Sequence, residues 1–245
     1  MTEPTWQFYR FGLLVTGRGE EKFIHKLFRS LAASGRCHFE VIRRIEQRSP
    51  RTSRRPPPTI LGTDKPIPDK DAEQIGFPAR MYLRQGPDRY VVLIDDLEHN
   101  RLPQAGAVFE RYRLALDRML GRNKANASVH FMVPMLEAYY FADARALQAV
   151  LGFDAADYDG DVEHIRNPKA LLKQTHPSYD EVRDGEAIVG VLDLEHVLAN
   201  PAACAGLRTL FAWCVKAMTL PSSAQFRLAD GVYSIFTGPQ LKGLS

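Results

Sequence analysis

Three short apolar runs, each followed by acidic residues, constrain the fold of this chain more than any other feature. The runs cover residues 11–15, 90–94 and 129–133, and such runs are typical of strands buried in a parallel sheet. In open α/β sheets the ligand lies beyond the carboxyl ends of the strands. We therefore expect the acids after the runs to gather at one edge of a sheet. Those acids are Glu20, Glu21, Asp95, Asp96, Glu98 and Glu137.

The predicted chemistry of this edge is the binding of a divalent cation. Crowded carboxylates need protons or a cation to neutralise them, and carboxylate oxygens suit Mg²⁺ or Mn²⁺. If the second strand stays extended, Asp96 and Glu98 share one side and Asp95 points to the other, unless the strand ends there. A helix cap or a complement to a helix N-terminus is the alternative for a single acid. The predicted metal ligands are Glu20, Asp95, Asp96, Glu98 and Glu137.

The composition is that of an ordinary globular protein. Of the 245 residues, 45% are hydrophobic and 25% are charged, and the net charge of +3 is too small to identify a partner. No apolar run approaches the roughly 20 residues of a membrane span, and the N-terminus lacks the features of a signal peptide. Three widely spaced cysteines favour a reducing compartment. We therefore expect a cytoplasmic protein without a membrane partner.

Strand and helix patterns alternate through about residue 150, which favours an α/β sandwich with a mainly parallel sheet flanked by helices. The core is assigned to residues 1–152, with a proline-rich loop insertion at 46–72. Residues 153–245 are predicted to form a helical C-terminal extension, or cap, packed on that core. The predicted strands are 8–15, 38–45, 89–94 and 128–133, and the predicted helices are 20–33, 73–85, 104–120, 136–150 with a candidate restart capped by Asp143, 168–173, 193–198 and 202–218.

A basic stretch at residues 43–55 carries six arginines against one acid. Arginine forks suit phosphate groups, so contact with phosphate or nucleic acid is the favoured interpretation. A solvated loop kept soluble by its charge is the alternative. The predicted nucleic-acid contacts are Arg18, Arg43, Arg44, Arg48, Arg51, Arg54 and Arg55.

Other common site motifs do not appear. The turn with Gly17 and Gly19 lacks the third glycine of a dinucleotide fingerprint and the Gly-Lys-Ser/Thr end of a P-loop. The chain has no Cys-x-x-Cys or His-Glu-x-x-His zinc pattern and no Gly-x-Ser-x-Gly elbow. The acids therefore remain the main candidates for chemistry.

The order of these elements resembles a Toprim domain, the metal-dependent module of topoisomerases, primases and overcoming-lysogenization-defect nucleases. More closely, the chain looks like the bacterial family called domain of unknown function 4276. The likeness lies in residues 15–21, 135–143, 167–169 and 179–180, and it covers roughly residues 8–218. Two positions depart from the Toprim pattern: Thr16 replaces the first glutamate, and the Asp-x-Asp pair becomes Asp95-Asp96-Leu97-Glu98.

This resemblance implies a Toprim-like (Rossmann-like) sheet and a Mg²⁺- or Mn²⁺-dependent, nuclease-like phosphodiesterase that acts on DNA or RNA. It assigns catalysis to Glu20, Asp95 and Glu98. It also implies an anti-phage or mobile-element context with an ATPase partner. A catalytically degraded module that serves as a binding subunit is the alternative. Chemistry on a small phosphorylated substrate is a third hypothesis.

Overall fold

Four parallel strands form the central sheet of the computed structural model. The structure describes residues 7–51, 58–63, 67–220, 226 and 231–244. The strands are β1 Tyr9–Val15, β2 Cys37–Arg44, β3 Arg89–Asp96 and β4 Ala127–Met132, and their order in the sheet is β2-β1-β3-β4. The three apolar runs of the sequence form the inner strands β1 and β3 and the edge strand β4, as their composition predicts.

Helices cover both faces of the sheet. The helix predicted at residues 20–33 is divided, because the 3₁₀ turn Ile24–Phe28 separates two short α-helices. The helix predicted at 136–150 also divides, into the 3₁₀ segment Leu136–Ala142 and an α-helix. The α-helices are α1 Arg18–Phe23, α2 Arg29–Ala32, α3 Phe77–Leu83 (preceded by the π-helical turn Ala72–Gly76), α4 Ala105–Leu120, α5 Ala144–Leu151, α6 Pro168–Thr175, α7 Arg183–Val191, α8 Leu194–Val197 and α9 Ala205–Ala217.

Two details of the helices differ from the prediction. The N–H of Ala144 is bound by the carboxylate of Asp157, not by that of Asp143. The carboxylate of Asp143 instead accepts a hydrogen bond from the N–H of Asp193, so a tertiary contact replaces the predicted local cap. Helix α7 was not predicted, because Asp184 and Gly185 interrupt the apolar pattern at its start.

Each face of the sheet has its own apolar core. Helices α3 and α4 bury Tyr82, Tyr112 and Leu116 against one face. On the other face, Phe28 of the first helical segment stacks on Phe39 of β2, with ring centroids 4.2 Å apart. The helices after residue 152 belong to this second core, since Phe211 and Trp213 of α9 are buried within it. The α/β fold of the sequence prediction is confirmed, with a parallel sheet between helical layers.

The strand order places a crevice beside β1. The chain passes from β1 outward to β2 and then returns across β1 to β3, so the direction of winding reverses between β1 and β3. Val15 pairs with Ile94, and Asp96 pairs with Met132, which aligns the carboxyl ends of β1, β3 and β4 at one edge. Ligands of open α/β sheets bind at such reversal points.

Among the described residues, no helix combines the length and the apolar composition that crossing a membrane requires.

Candidate active-site cleft

A cleft of about 490 Å³ opens at this carboxyl edge of the sheet. Its residues come from the turn after β1, the end of β3, the segment after β4, helix α6 and the loop before α7. We call it the edge cleft. It is lined by Gly17, Arg18, Gly19, Glu20, Phe23, Asp96, Leu136, Glu137, Tyr140, Lys169, Lys173, Tyr179, Asp180, Glu181 and Val182.

Three predicted metal ligands reach the edge cleft from three different strand ends. Glu20 lies in the first turn of α1, Asp96 is the last residue of β3, and Glu137 follows β4 in the 3₁₀ segment. Gly17 makes room for the first of them, because a Cβ atom at position 17 would collide with the carboxylate of Glu20. The turn glycine is therefore required by the site, not by its backbone, whose φ of −93° suits any residue.

The protonation of these acids reflects burial and mutual repulsion. Burial raises the pKa of Glu20 and of Glu137 and holds that of Asp96 well above its usual value. The charges of Glu20 and Glu137 push the pKa of Asp96 further in the same direction. A positive charge placed among the three would therefore stabilise their ionised forms.

Lys169 supplies one positive charge in the edge cleft. Its ammonium lies 3.4 Å from the carboxylate of Glu137 and 3.0 Å from that of Glu181. Helix α6 places it there, since the side chain of Asn167 caps that helix by accepting the N–H of Ala170. The carboxylates raise the pKa of Lys169, against the effect of its own burial.

Two polar groups in the edge cleft have no hydrogen-bond partner among the described residues. One is Oδ1 of Asp96 and the other is the hydroxyl of Tyr179, both buried. Tyr179 is only 5% exposed. A buried acceptor and a buried donor without partners are unfavourable unless a ligand or ordered water satisfies them.

The structure does not bring Asp95 into the edge cleft. Strand alternation turns it to the opposite face, where both carboxylate oxygens are used. Its side chain has no solvent exposure and pairs with Arg101 at 2.8 Å. Tyr112, Thr16 and Gln47 donate three further hydrogen bonds to it, at 2.9, 2.8 and 3.1 Å. These contacts engage both oxygens of Asp95 away from the edge cleft, which argues against its predicted roles as a metal ligand and a catalytic residue.

Glu98 is also not among the residues that line the edge cleft. Strand β3 ends at Asp96, and the backbone carbonyl of Glu98 accepts the N–H groups of Arg101 and Leu102 in the turn that leads to α4. The extended path that would return Glu98 to the side of Asp96 therefore does not continue. This path argues against the predicted roles of Glu98 as a metal ligand and a catalytic residue.

The five predicted arginines that the structure describes divide into two groups. Arg48 is 6% exposed and pairs with Asp71 at 2.9 Å, and Arg51 pairs with Asp69. Both ion pairs hold the chain after β2 against the segment before α3. The two guanidinium groups are thus engaged within the protein, which argues against their predicted role in nucleic-acid contact. Three others lie at the sheet edge: Arg18 lines the edge cleft, Arg43 is exposed, and the exposed Arg44 pairs with Glu21 at 3.2 Å. Arg54 and Arg55 lie outside the described residues.

Sequence reasoning did not assign roles to Lys169, Tyr140, Tyr179 or Glu181. The available signal was the resemblance itself, because residues 135–143, 167–169 and 179–180 carry it and each contributes to the edge cleft. These segments are separated in sequence, and no strand pattern connects the last two with the acids. Their convergence appears only in the fold.

The residues of the edge cleft fit Mg²⁺ or Mn²⁺ in chemistry. Glu20, Asp96 and Glu137 offer carboxylate oxygens, which these cations prefer, and Oδ1 of Asp96 is buried without a described partner. Within the described part of the chain, no group of three His, Cys, Asp or Glu residues is already assembled as a metal site. Binding a cation here would therefore include rotamer changes that draw the carboxylates together.

One comparison with known proteins identifies the family of this chain. No curated protein and no solved structure matches it. A family model described as "Domain of unknown function (DUF4276)" matches residues 15–211. The matched range includes every residue that lines the edge cleft. The chain belongs to the family described as Domain of unknown function (DUF4276).

Proposed function

We propose that this protein is a Mg²⁺- or Mn²⁺-dependent, nuclease-like phosphodiesterase that acts on nucleic acid. One observation carries the proposal: Glu20, Asp96 and Glu137 come from three strand ends to one cleft, where a buried oxygen of Asp96 has no partner among the described residues. A cation bound there would polarise a phosphate oxygen and activate water. These carboxylates would hold it.

The basic residues of the edge cleft suit the phosphate. Arg18 is exposed at the turn after β1, and Lys169 and Lys173 project from α6. Lys169 is poised between Glu137 and Glu181, so it neutralises the acids when no other cation is near. With a cation held by the carboxylates, Glu137 would no longer need this partner, and the ammonium of Lys169 would be available to a phosphate oxygen of the substrate.

The finer assignment to a Toprim-like group is part of the same proposal. It is supported by the placement of acids after β1, β3 and β4 at one edge of a parallel sheet. An ATPase partner and a role in anti-phage defence follow from the resemblance alone. Co-purification of the tagged protein with an ATPase encoded beside it tests that part.

The decisive experiment separates metal binding from cleavage. Calorimetry with Mn²⁺ and cleavage of labelled DNA and RNA are measured for wild type, Asp96→Asn, Glu137→Gln and the matched control Glu21→Gln. Glu21 neighbours Glu20 but is exposed and does not line the edge cleft. We expect wild type and the control to bind Mn²⁺ and to cleave, and the two site variants to lose both properties. Equal trace cleavage by all four proteins would reject the enzyme.

A non-catalytic binding module is the second candidate, and the Lys169–Glu137 ion pair favours it. An internal ammonium at 3.4 Å can neutralise Glu137 without a metal. This candidate predicts that wild type shows no Mn²⁺ affinity at millimolar concentrations yet still binds nucleic acid, with Lys169→Gln weakening that binding.

A further inference from the structure

We infer that the edge cleft accepts one terminal nucleotide of a single strand and does not act on the interior of a strand. This inference rests on the proposed function, and it concerns the form of the substrate. It follows from the size of the cleft, from its unpartnered donor and from the distribution of charge at its rim.

The volume of the edge cleft suits one nucleotide-sized unit. At about 490 Å³ it lies in the range of small-molecule sites. A duplex threaded through the site would need an open channel. Instead, the loop before α7 forms one wall with Tyr179 and Val182, and Phe23 and Leu136 contribute apolar lining.

The edge cleft contains a hydrogen-bond donor, the hydroxyl of Tyr179, that a substrate could engage. Tyr179 is buried, and its hydroxyl has no hydrogen-bond partner among the described residues. Lys169 also lines the edge cleft. An ammonium and a phenol hydroxyl together suit the oxygens of a phosphate or a ribose.

The rim of the edge cleft opposes a continuous polyanion. Asp180 and Glu181 are both exposed on the α7 side, whereas Arg18 is exposed on the β1 side. Glu181 pairs with Lys169 at 3.0 Å and with Lys173 at 3.6 Å, so Asp180 carries the negative charge of that side. A strand that enters from the β1 side meets positive charge. A strand that also had to leave past Asp180 would bring its phosphates against that carboxylate. This charge pattern favours a substrate that ends inside the cleft.

Beyond Arg44, the described part of the basic stretch provides no further arginine for phosphate contact. Arg48 is buried in an ion pair with Asp71, and Arg51 is paired with Asp69. Their charges are already used to hold the loop. The strand beyond its terminal nucleotide therefore contacts mainly Arg18 and the exposed end of β2 at Arg43.

The test compares linear and circular single strands of identical sequence, as DNA and as RNA, with Mn²⁺ and the wild-type protein. Whichever of DNA and RNA is cleaved faster, we expect its linear form to be cleaved at least about ten-fold faster than its circular form. Ten-fold is the lower end of the effect that charge patterns have on association rates. Equal rates on the linear and circular forms would overturn the inference and leave the nuclease standing. Hydrolysis of bis(p-nitrophenyl) phosphate without cleavage of either form also overturns it. No hydrolysis of any substrate would reject the proposed function itself.

A rim variant tests the cause. Asp180→Asn removes one charge and keeps an acceptor oxygen for the N–H groups of Val182 and Arg183, which Asp180 now binds at 3.0 and 2.7 Å. We expect faster cleavage of the circle and a linear-to-circular ratio reduced several-fold. An unchanged ratio would overturn the electrostatic explanation of end selection.

Discussion

The hydroxyl of Thr16 donates a hydrogen bond of 2.8 Å to Oδ1 of Asp95, on the face of the sheet opposite the edge cleft. Position 16 is where the Toprim resemblance implies a glutamate. A glutamate there would place a second carboxylate against Asp95, which is already enclosed by Arg101 and Tyr112. Thr16 therefore completes a hydrogen-bond network around the buried Asp95, while Asp96 is the acid of this strand end that lines the edge cleft.

Asp95 and Asp96 are adjacent, and we expect their amide variants to fail in opposite ways. Asp95→Asn leaves the guanidinium of Arg101, 14% exposed, without its carboxylate; the free energy of unfolding should fall by about 3 kcal/mol. Asp96→Asn relieves a buried, repelled charge, so stability should be unchanged or higher while Mn²⁺ affinity falls. Urea denaturation and calorimetry measure the two effects. Equal loss of stability in both variants would contradict this division of roles.

Gly17→Ala should damage the metal site without unfolding the protein. Its backbone φ of −93° accommodates alanine, but the new Cβ would displace the carboxylate of Glu20. We expect weaker Mn²⁺ binding and a change in unfolding free energy below about 1 kcal/mol. Gly190→Ala is the matched control, because that helical glycine has no atom within 4 Å of the added Cβ. If both variants bind Mn²⁺ like wild type, Glu20 is not a ligand.

Glu163 should make the stability of the protein depend on pH near neutrality. Burial raises the pKa of Glu163 from 4.5 to about 7. The folded state then holds the proton more tightly than the unfolded state, so stability is greatest below about pH 4.5 for this group and is lost as pH rises towards 7. Glu163→Gln removes this loss, and we expect it to gain up to about 3 kcal/mol relative to wild type between pH 4 and pH 8.

The control for this pH effect is Glu163→Ala. The oxygen of Glu163 accepts hydrogen bonds from the hydroxyl of Tyr139 at 2.7 Å and from the N–H of Gly206 at 2.8 Å. Glutamine keeps an acceptor for both and alanine does not, so the alanine variant should be less stable than the glutamine variant at every pH. Thermal unfolding across the pH range measures both, and parallel curves for wild type and Glu163→Gln would refute the assignment.

Arg48 should matter for stability more than for nucleic-acid binding. Arg48→Met removes its ion pairs with Asp71 and Glu46 while Arg111 still neutralises Asp71, so we expect a loss of about 2 kcal/mol. Arg43→Met, at an exposed position, should leave stability unchanged and weaken binding of a labelled single strand. Fluorescence anisotropy of the labelled strand measures how strongly each variant binds it. Stronger loss of binding in Arg48→Met, at a temperature where it is folded, would restore the predicted phosphate role.

Local patterns predicted the elements well where burial on both faces leaves little choice. Runs such as Val91–Ile94 are apolar at every position, and the structure buries all of them in the sheet. The pattern was less informative where tertiary contacts replace local ones. Asp143 has the residue type of a helix cap, yet its carboxylate binds the N–H of Asp193, which no local rule connects with it.

The sequence by itself determined a parallel sheet and the placement of acids at its carboxyl edge, because both follow from the composition and order of consecutive residues. Strand alternation also predicted that the side chains of Asp95 and Asp96 point to opposite faces of the sheet. Only the tertiary structure decided which acids share a cleft. It turned Asp95 towards Arg101, ended β3 before Glu98, and brought Lys169 and Tyr179 beside Glu137. The physical reason is that these choices depend on partners distant in the chain, whose charges and donors meet only when the helices pack on the sheet.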